Sequence, residues 1–143
     1  MTPLPRLVSC DPDTTAPTYA YFQGGELVSV THELSGPRVA PPYPRELLVV
    51  IEAQWIDRAS QVRDRDILSL AIAAGQSSMH FDWCEWVSPM SWKGNTSKAV
   101  SHAWVREVLS DAERAVLVPF RKKVLPEALD AVGIGLWKLG RMR

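Results

Sequence analysis

Apolar residues recur with different periods along the chain. Leu4 to Cys10 is apolar and rich in β-formers, and it runs into Asp11-Pro12-Asp13, a turn signal. Thr18 to Phe22 is aromatic and reads as extended. Gly24-Gly25 then marks a tight turn, and Glu26 to Glu33 places Leu27, Val28 and Val30 among polar neighbours. These segments predict a three-stranded antiparallel meander. Ser35 to Arg45 holds Pro37, Pro41, Pro42 and Pro44; proline removes backbone donors and disfavours helix, so this segment reads as a connection. Leu47 to Ile51 is an unbroken apolar run, LLVVI, the pattern of a strand covered on both faces, and it ends on Glu52.

Helical spacing follows from Ala59 to Ala74, through Val62, Ile67, Leu68, Leu70 and Ala71, with Gly75 as the expected stop. Phe81 to Val87 predicts a fifth strand. Asn95 or Thr96 can cap a helix reaching Leu109. From Asp111 to Lys123 the pattern is ambiguous, with Val116 to Val118 readable as extended. Pro126 suits the first position of a last helix that runs to about Leu139, with Gly140 as its cap. A meander followed by β-α-β-α-α predicts one α/β domain over residues 1–143, built on a mixed five-stranded sheet flanked by helices.

Composition narrows the class. A chain of 143 residues can bury a real core, and 46% hydrophobic with 22% charged residues excludes a disordered chain. No apolar run approaches the roughly 20 residues of a membrane span. The opening MTPLPRLVSCD lacks the pattern of a secretory signal, so a cytoplasmic protein is expected. Cys10 and Cys84 sit in strand-like runs and are expected as buried free thiols; one pair makes neither a disulfide framework nor a zinc site. A formal net charge of +0 argues against a broadly basic phosphate-binding surface. The charges are unevenly spread, however. Lys93, Lys98 and Arg106 occupy a stretch without acidic residues, Arg121-Lys122-Lys123 form a run, and Asp57, Asp64 and Asp66 gather mid-chain. A neutral chain can therefore present one basic face.

Four acidic residues fall where chemistry would want them. Asp11 ends the first strand, Glu52 ends the most apolar strand, and Glu127 and Asp130 lie three apart at the start of the last helix, on one face. Carboxylates at the ends of neighbouring strands converge, and a hard oxygen-rich site suits Mg²⁺ or Mn²⁺. Crowded carboxylates repel, so the arrangement itself calls for a cation. Each residue also has a plain structural reading: Asp11 before Pro12 as a turn initiator, Glu127 and Asp130 as complements to the helix dipole, Glu52 as a strand end that surfaces. Lys93-Gly94-Asn95 before a helix could offer free amides and a cation to a phosphate, or could be an ordinary loop. Trp55 could stack on a base or sit at the edge of the core; most of the six Trp residues read as core or dimer interface. His32, His80 and His102 show no ligand spacing. The small residues of the last helix read as allowing close packing on the sheet.

In this order the motifs resemble the RuvC-like Holliday junction resolvases, especially short phage-type members. LVSCDPDTT is similar to that family's first strand with Asp-Pro-Gly. LLVVIEAQW resembles its second catalytic strand, with an aromatic three residues after Glu. SPMSWKGNTSK resembles its Pro…Lys…Gly…Lys stretch, and LPEALDAVGIGLW its final helix. The resemblance covers nearly the whole chain. It implies an RNase H-like fold, a homodimer, and Asp11, Glu52, Glu127 and Asp130 as catalytic ligands of two Mg²⁺ ions, with Mn²⁺ able to substitute and no organic cofactor. It implies Trp55 near the junction centre and Lys93 and Lys98 at phosphates; Arg121, Lys122 and Lys123 are further candidate DNA contacts. The implied reaction is paired, symmetric nicking of a four-way junction, leaving 5′-phosphate and 3′-hydroxyl ends. The chain departs from the family at Asp13, usually Gly, at Glu127, usually Asp, and in the closeness of its two lysines. A broader branched-DNA nuclease, a catalytically silent junction binder and a protein-interaction module remain as alternative readings.

Overall fold

Alternation along the first strand sets the layering of the molecule. The computed structural model describes residues 5–32, 34–53 and 64–142. Strands β1 (Arg6–Asp11), β2 (Thr18–Gln23) and β3 (Glu26–Thr31) form the meander, followed by β4 (Leu48–Glu52). Helix α1 (Asp64–Ser78) and strand β5 (Trp83–Val87) come next, then α2 (Pro89–Lys93), α3 (Lys98–Val108), α4 (Asp111–Leu117) and α5 (Leu125–Lys138). The sheet order is β3-β2-β1-β4-β5, with β1 antiparallel to β2 and parallel to β4. β2 pairs antiparallel with β3, and β4 parallel with β5. Gly24 and Gly25 both take positive φ, 64° and 79°, as a two-residue turn matched to strand twist requires.

The sheet is covered on both faces. Val8 and Cys10 of β1 pack with Tyr19, Val49, Ile51, Ala74 and Phe81 on the α1 side. Leu7 packs with Leu129, Val132 and Leu136 on the α5 side, and the Ser9 hydroxyl donates to the Ala131 carbonyl at 2.5 Å. By the two-residue period Asp11 belongs to that second face, as do Leu48, Val50 and Glu52 of β4. From Ala128 to Leu136 helix α5 is buried without interruption. It lies close to the sheet because two of its positions lack side chains. A Cβ at Gly135 would collide with the Phe22 ring and the Ser9 hydroxyl, and one at Gly133 would meet Trp92 Cζ3 at 2.5 Å. The small residues of the last helix thus serve the close packing expected of them.

Several local expectations give way to tertiary contacts. Gly75 does not stop α1, which continues to Ser78 because Ala73, Ala74 and Ser77 are all buried and the final turn is bonded through Ser78 Oγ to the Gly75 carbonyl. The expected start of this helix, from Ala59, lies outside the described residues. Val116 to Val118 is not extended: Ser110 and Glu113 form a reciprocal capping box, and Leu117 is buried, so the segment is helical. Ser97, not Asn95 or Thr96, caps α3. The five-residue α2, capped by Ser88 with Pro89 behind it, is too short to show a period. Cys10 is buried and Cys84 half-buried, both as free thiols. Trp92 is buried, whereas Trp83, Trp86 and Trp104 are exposed rather than core.

One ion pair ties the meander to the helices. Arg141 grips Glu113 with two guanidinium nitrogens at 2.7 and 2.8 Å, and also donates to the Gly25 and Val108 carbonyls. Glu113 in turn accepts from the Leu27 and Ser110 amides. Burial alone would raise its pKa; Arg141 and the two amides outweigh burial and hold it at about 2, against an ordinary 4.5. A lowered carboxylate pKa stabilises the fold above its unfolded value, and that stability is lost as pH falls through the folded value. Glu113→Gln is therefore expected to cost about 2 kcal/mol at pH 7. The difference from wild type should shrink between about pH 4.5 and about 2, as followed by urea denaturation at each pH.

Candidate functional site

Parallel pairing of β1 and β4 brings two acids to one edge. Cys10 pairs with Ile51, so the next residues, Asp11 and Glu52, leave neighbouring strands side by side. Both belong to the face on which α5 packs, and α5 adds Asp130 in the turn before its contacts with Trp92 and Phe22. All three are buried, at 8%, 4% and 5% exposure. Burial pushes the Asp11 carboxyl well above the usual range; Glu52 and Asp130 push it further, and Lys93 and Lys98 pull it back. Glu52 and Asp130, from two other segments, are thus close enough to raise the cost of ionising Asp11.

Each of the other two acids has neighbours of its own. Glu52 Oε2 accepts from Trp92 Nε1 at 2.6 Å and lies 3.9 Å from Lys93 Nζ. Asp130 Oδ1 lies 2.9 Å from His102 Nε2, and its Oδ2 lies 3.7 Å from Lys98 Nζ. The Lys93 ammonium also sits 5.1 Å from the Trp92 ring centre, and its side chain is only 9% exposed. Lys98 is open to solvent at 66%.

The expected residues therefore divide by position. Asp11, Glu52 and Asp130 meet, with Lys93 and Lys98 beside them. Glu127 is half-buried in the first turn of α5 and makes no side-chain bond among the described residues. Lys93 is not on an open phosphate loop: it closes α2 and turns inward, and the Gly94 amide is already bonded to the Met90 carbonyl. Asp13 caps its own turn, accepting from the Thr15 and Ala16 amides at 2.7 and 3.2 Å. Arg121, Lys122 and Lys123 are exposed just before α5, at the end of that helix nearer Asp130. Trp55 lies outside the described residues. His102 and Trp92 were not legible as site residues. Trp92 neighbours Lys93 in the basic motif, the one local hint toward it; no spacing pointed to His102.

The donor set fits a hard divalent cation in kind, since it is all carboxylate oxygen and its members repel without one. Among the described residues no three His, Cys, Asp or Glu side chains close to ligand geometry. The site is therefore a gathering of acids compensated in part by lysine. No protein-family model and no curated protein matches the chain. Among solved structures it is similar to the Thermus thermophilus RuvC structure, with TM-score 0.51 and 15% identity, across 96% of this chain and 99% of that one. The likeness covers the whole layered arrangement, and the chain has the RuvC-like, RNase H-like fold.

The raised Asp11 pKa carries a stability consequence. The folded chain holds this proton more tightly than the unfolded chain, so the stability it contributes is present at low pH and lost as pH rises through the folded value. Asp11→Asn, which removes the charge and keeps the shape, is expected to raise the melting temperature in chelator by about 3 °C at pH 7.5. At pH 4, where wild type can hold the proton, the gain should shrink; calorimetry at both pH values checks it.

Proposed function

We propose that this chain is a metal-dependent, structure-selective DNA endonuclease that resolves four-way junctions, the whole chain serving as one nuclease domain. The observation that carries the reading is the meeting of Asp11, Glu52 and Asp130, buried, from three separate elements on a RuvC-like fold. These three, joined by Glu127, would hold two Mg²⁺ ions, with Mn²⁺ a workable substitute. Such ions, when bound, activate water and stabilise the leaving oxygen of a phosphodiester. Lys93 balances Glu52 from within the site. Lys98 is free to meet a phosphate beside Asp130, and Arg121, Lys122 and Lys123 extend positive charge along the same end of α5. Trp55, three residues after Glu52 in the sequence, would stack on a base near the junction centre.

Paired nicks on opposing strands require two sites, and α1 offers a face for a second copy: Leu68 and Ile72, one turn apart, are 61% and 54% exposed. Ile72→Glu is expected to shift a homodimer to monomer in sedimentation velocity without lowering the melting temperature. A cytoplasmic setting accords with this reading; no described helix is long and apolar enough to cross a membrane.

The deciding experiment uses a labelled four-way junction and a matched duplex with Mg²⁺. Wild type should leave symmetric paired nicks with 5′-phosphate ends that ligase can seal, and should spare the duplex. Asp11→Asn and Glu52→Gln should abolish nicking and retain binding. Equal cutting of forks and flaps would broaden the substrate to branched DNA. The lysines already against Glu52 and Asp130 favour one second reading, a silent junction binder; binding without nicks in both Mg²⁺ and Mn²⁺ would establish it.

A further inference from the structure

We propose that Trp92 and His102 are positioning residues for the carboxylate site: each directs one N–H at one acid and so fixes which oxygens face a divalent cation. The inference rests on the metal-centre reading above and adds two residues that do not touch the reacting atoms.

The geometry separates these two residues from the lysines. Trp92 Nε1 donates to Glu52 Oε2 at 2.6 Å, and His102 Nε2 lies 2.9 Å from Asp130 Oδ1. Both are hydrogen-bond distances, and in the proposed arrangement the proton is on the His102 nitrogen that faces Asp130. Lys93 and Lys98 stand at 3.9 and 3.7 Å, beyond that range. The lysines therefore balance charge without setting orientation. The N–H donors, at 2.6 and 2.9 Å, set orientation.

Both donors are held by the fold. Trp92 is 2% exposed, and its ring lies where a Cβ on Gly133 would be, 2.5 Å from Cζ3. Its helix begins at a fixed point, with Ser88 capping the Ser91 amide and Pro89 at the first position. The His102 side chain is 12% exposed on α3, whose start Ser97 caps and whose Val105 is buried at the same Gly133. One glycine on α5 thus seats both α2 and α3. The helix that carries Asp130 also sets the donors to Glu52 and Asp130. With Glu52 Oε2 and Asp130 Oδ1 tied back, the remaining oxygens of the two acids are left for a cation alongside Asp11. Donors that orient ligands in this way change metal affinity or activity by about 10–100-fold when removed.

Mn²⁺ binding without DNA tests this apart from nuclease activity. The free Mn²⁺ signal in electron paramagnetic resonance is titrated for wild type, Trp92→Phe, His102→Ala, His102→Gln and Asp11→Asn, with melting in chelator as the control for folding. Trp92→Phe keeps a ring against Gly133 and loses only the N–H; His102→Gln keeps an N–H in reach of Asp130. Trp92→Phe and His102→Ala are expected to weaken Mn²⁺ by about tenfold or more, and His102→Gln to recover most of that loss. Wild-type affinity in Trp92→Phe and His102→Ala overturns the proposal, as does a loss that His102→Gln shares in full. If Trp92→Phe melts far below wild type, the His102 pair decides. When Asp11→Asn abolishes binding but the positioning variants do not weaken it, this inference fails and the metal centre stands. When the variants weaken Mn²⁺ but wild type cuts no junction, the positioning role stands and only the junction-resolving reading falls. A wild type that binds no Mn²⁺ overturns both.

Discussion

The close seat of α5 on the sheet is the constraint on which the rest of the molecule depends. Gly133 and Gly135 remove the two side chains that would hold the helix away, and Trp92, Val105, Phe22 and Ser9 fill the space. Interiors packed to this density transmit any change of separation to everything built on them. Asp130 is carried on that helix, Asp11 and Glu52 on the two central strands beneath it, and their meeting depends on the helix-to-sheet distance. The bond from Ser9 to the Ala131 carbonyl, next to Asp130 in sequence, pins the helix at the level of the site.

The same seat concentrates electrostatic cost. Three carboxylates below a tenth exposed would each sit more easily in water, and Asp11 registers the cost as a raised pKa. Elsewhere the protein handles a buried acid differently. Glu113 is equally buried, but a bidentate Arg141 and two amides satisfy its oxygens, and its pKa falls. One acid is fully compensated and knits the fold; the acid cluster is compensated only in part.

Much of this was legible in the chain, and the limits have physical causes. The five strands and their mixed order follow from alternation, the Gly24-Gly25 turn and the LLVVI run, all local signals. Asp11 and Glu52 were legible because a strand end places a side chain at a predictable edge. Gly75 was expected as a stop and Val116 to Val118 stood ambiguous; burial of their neighbours overrode local propensity at both. Lys93 was taken for a phosphate contact on an open loop, yet a five-residue helix with no period turns it inward against Glu52. His102 was invisible for a different reason. Its relation to Asp130 spans 28 residues and exists only once α3 and α5 share Gly133.

That shared glycine also explains why the neighbours of the site are unlike one another. Lys93 and Trp92 come from α2, Lys98 and His102 from α3, and each helix contributes one cation and one N–H donor to one acid. Lys98 and His102 are four residues apart and so lie on one face of α3, one reaching each oxygen of Asp130. Trp92 and Lys93 are adjacent and reach the same oxygen of Glu52 by different routes, the indole edge and the long aliphatic stem. The two arrangements share one pattern: an ammonium at 3.7–3.9 Å and a ring N–H at 2.6–2.9 Å stand against the same acid, one on a long aliphatic stem and the other on a ring held by packing.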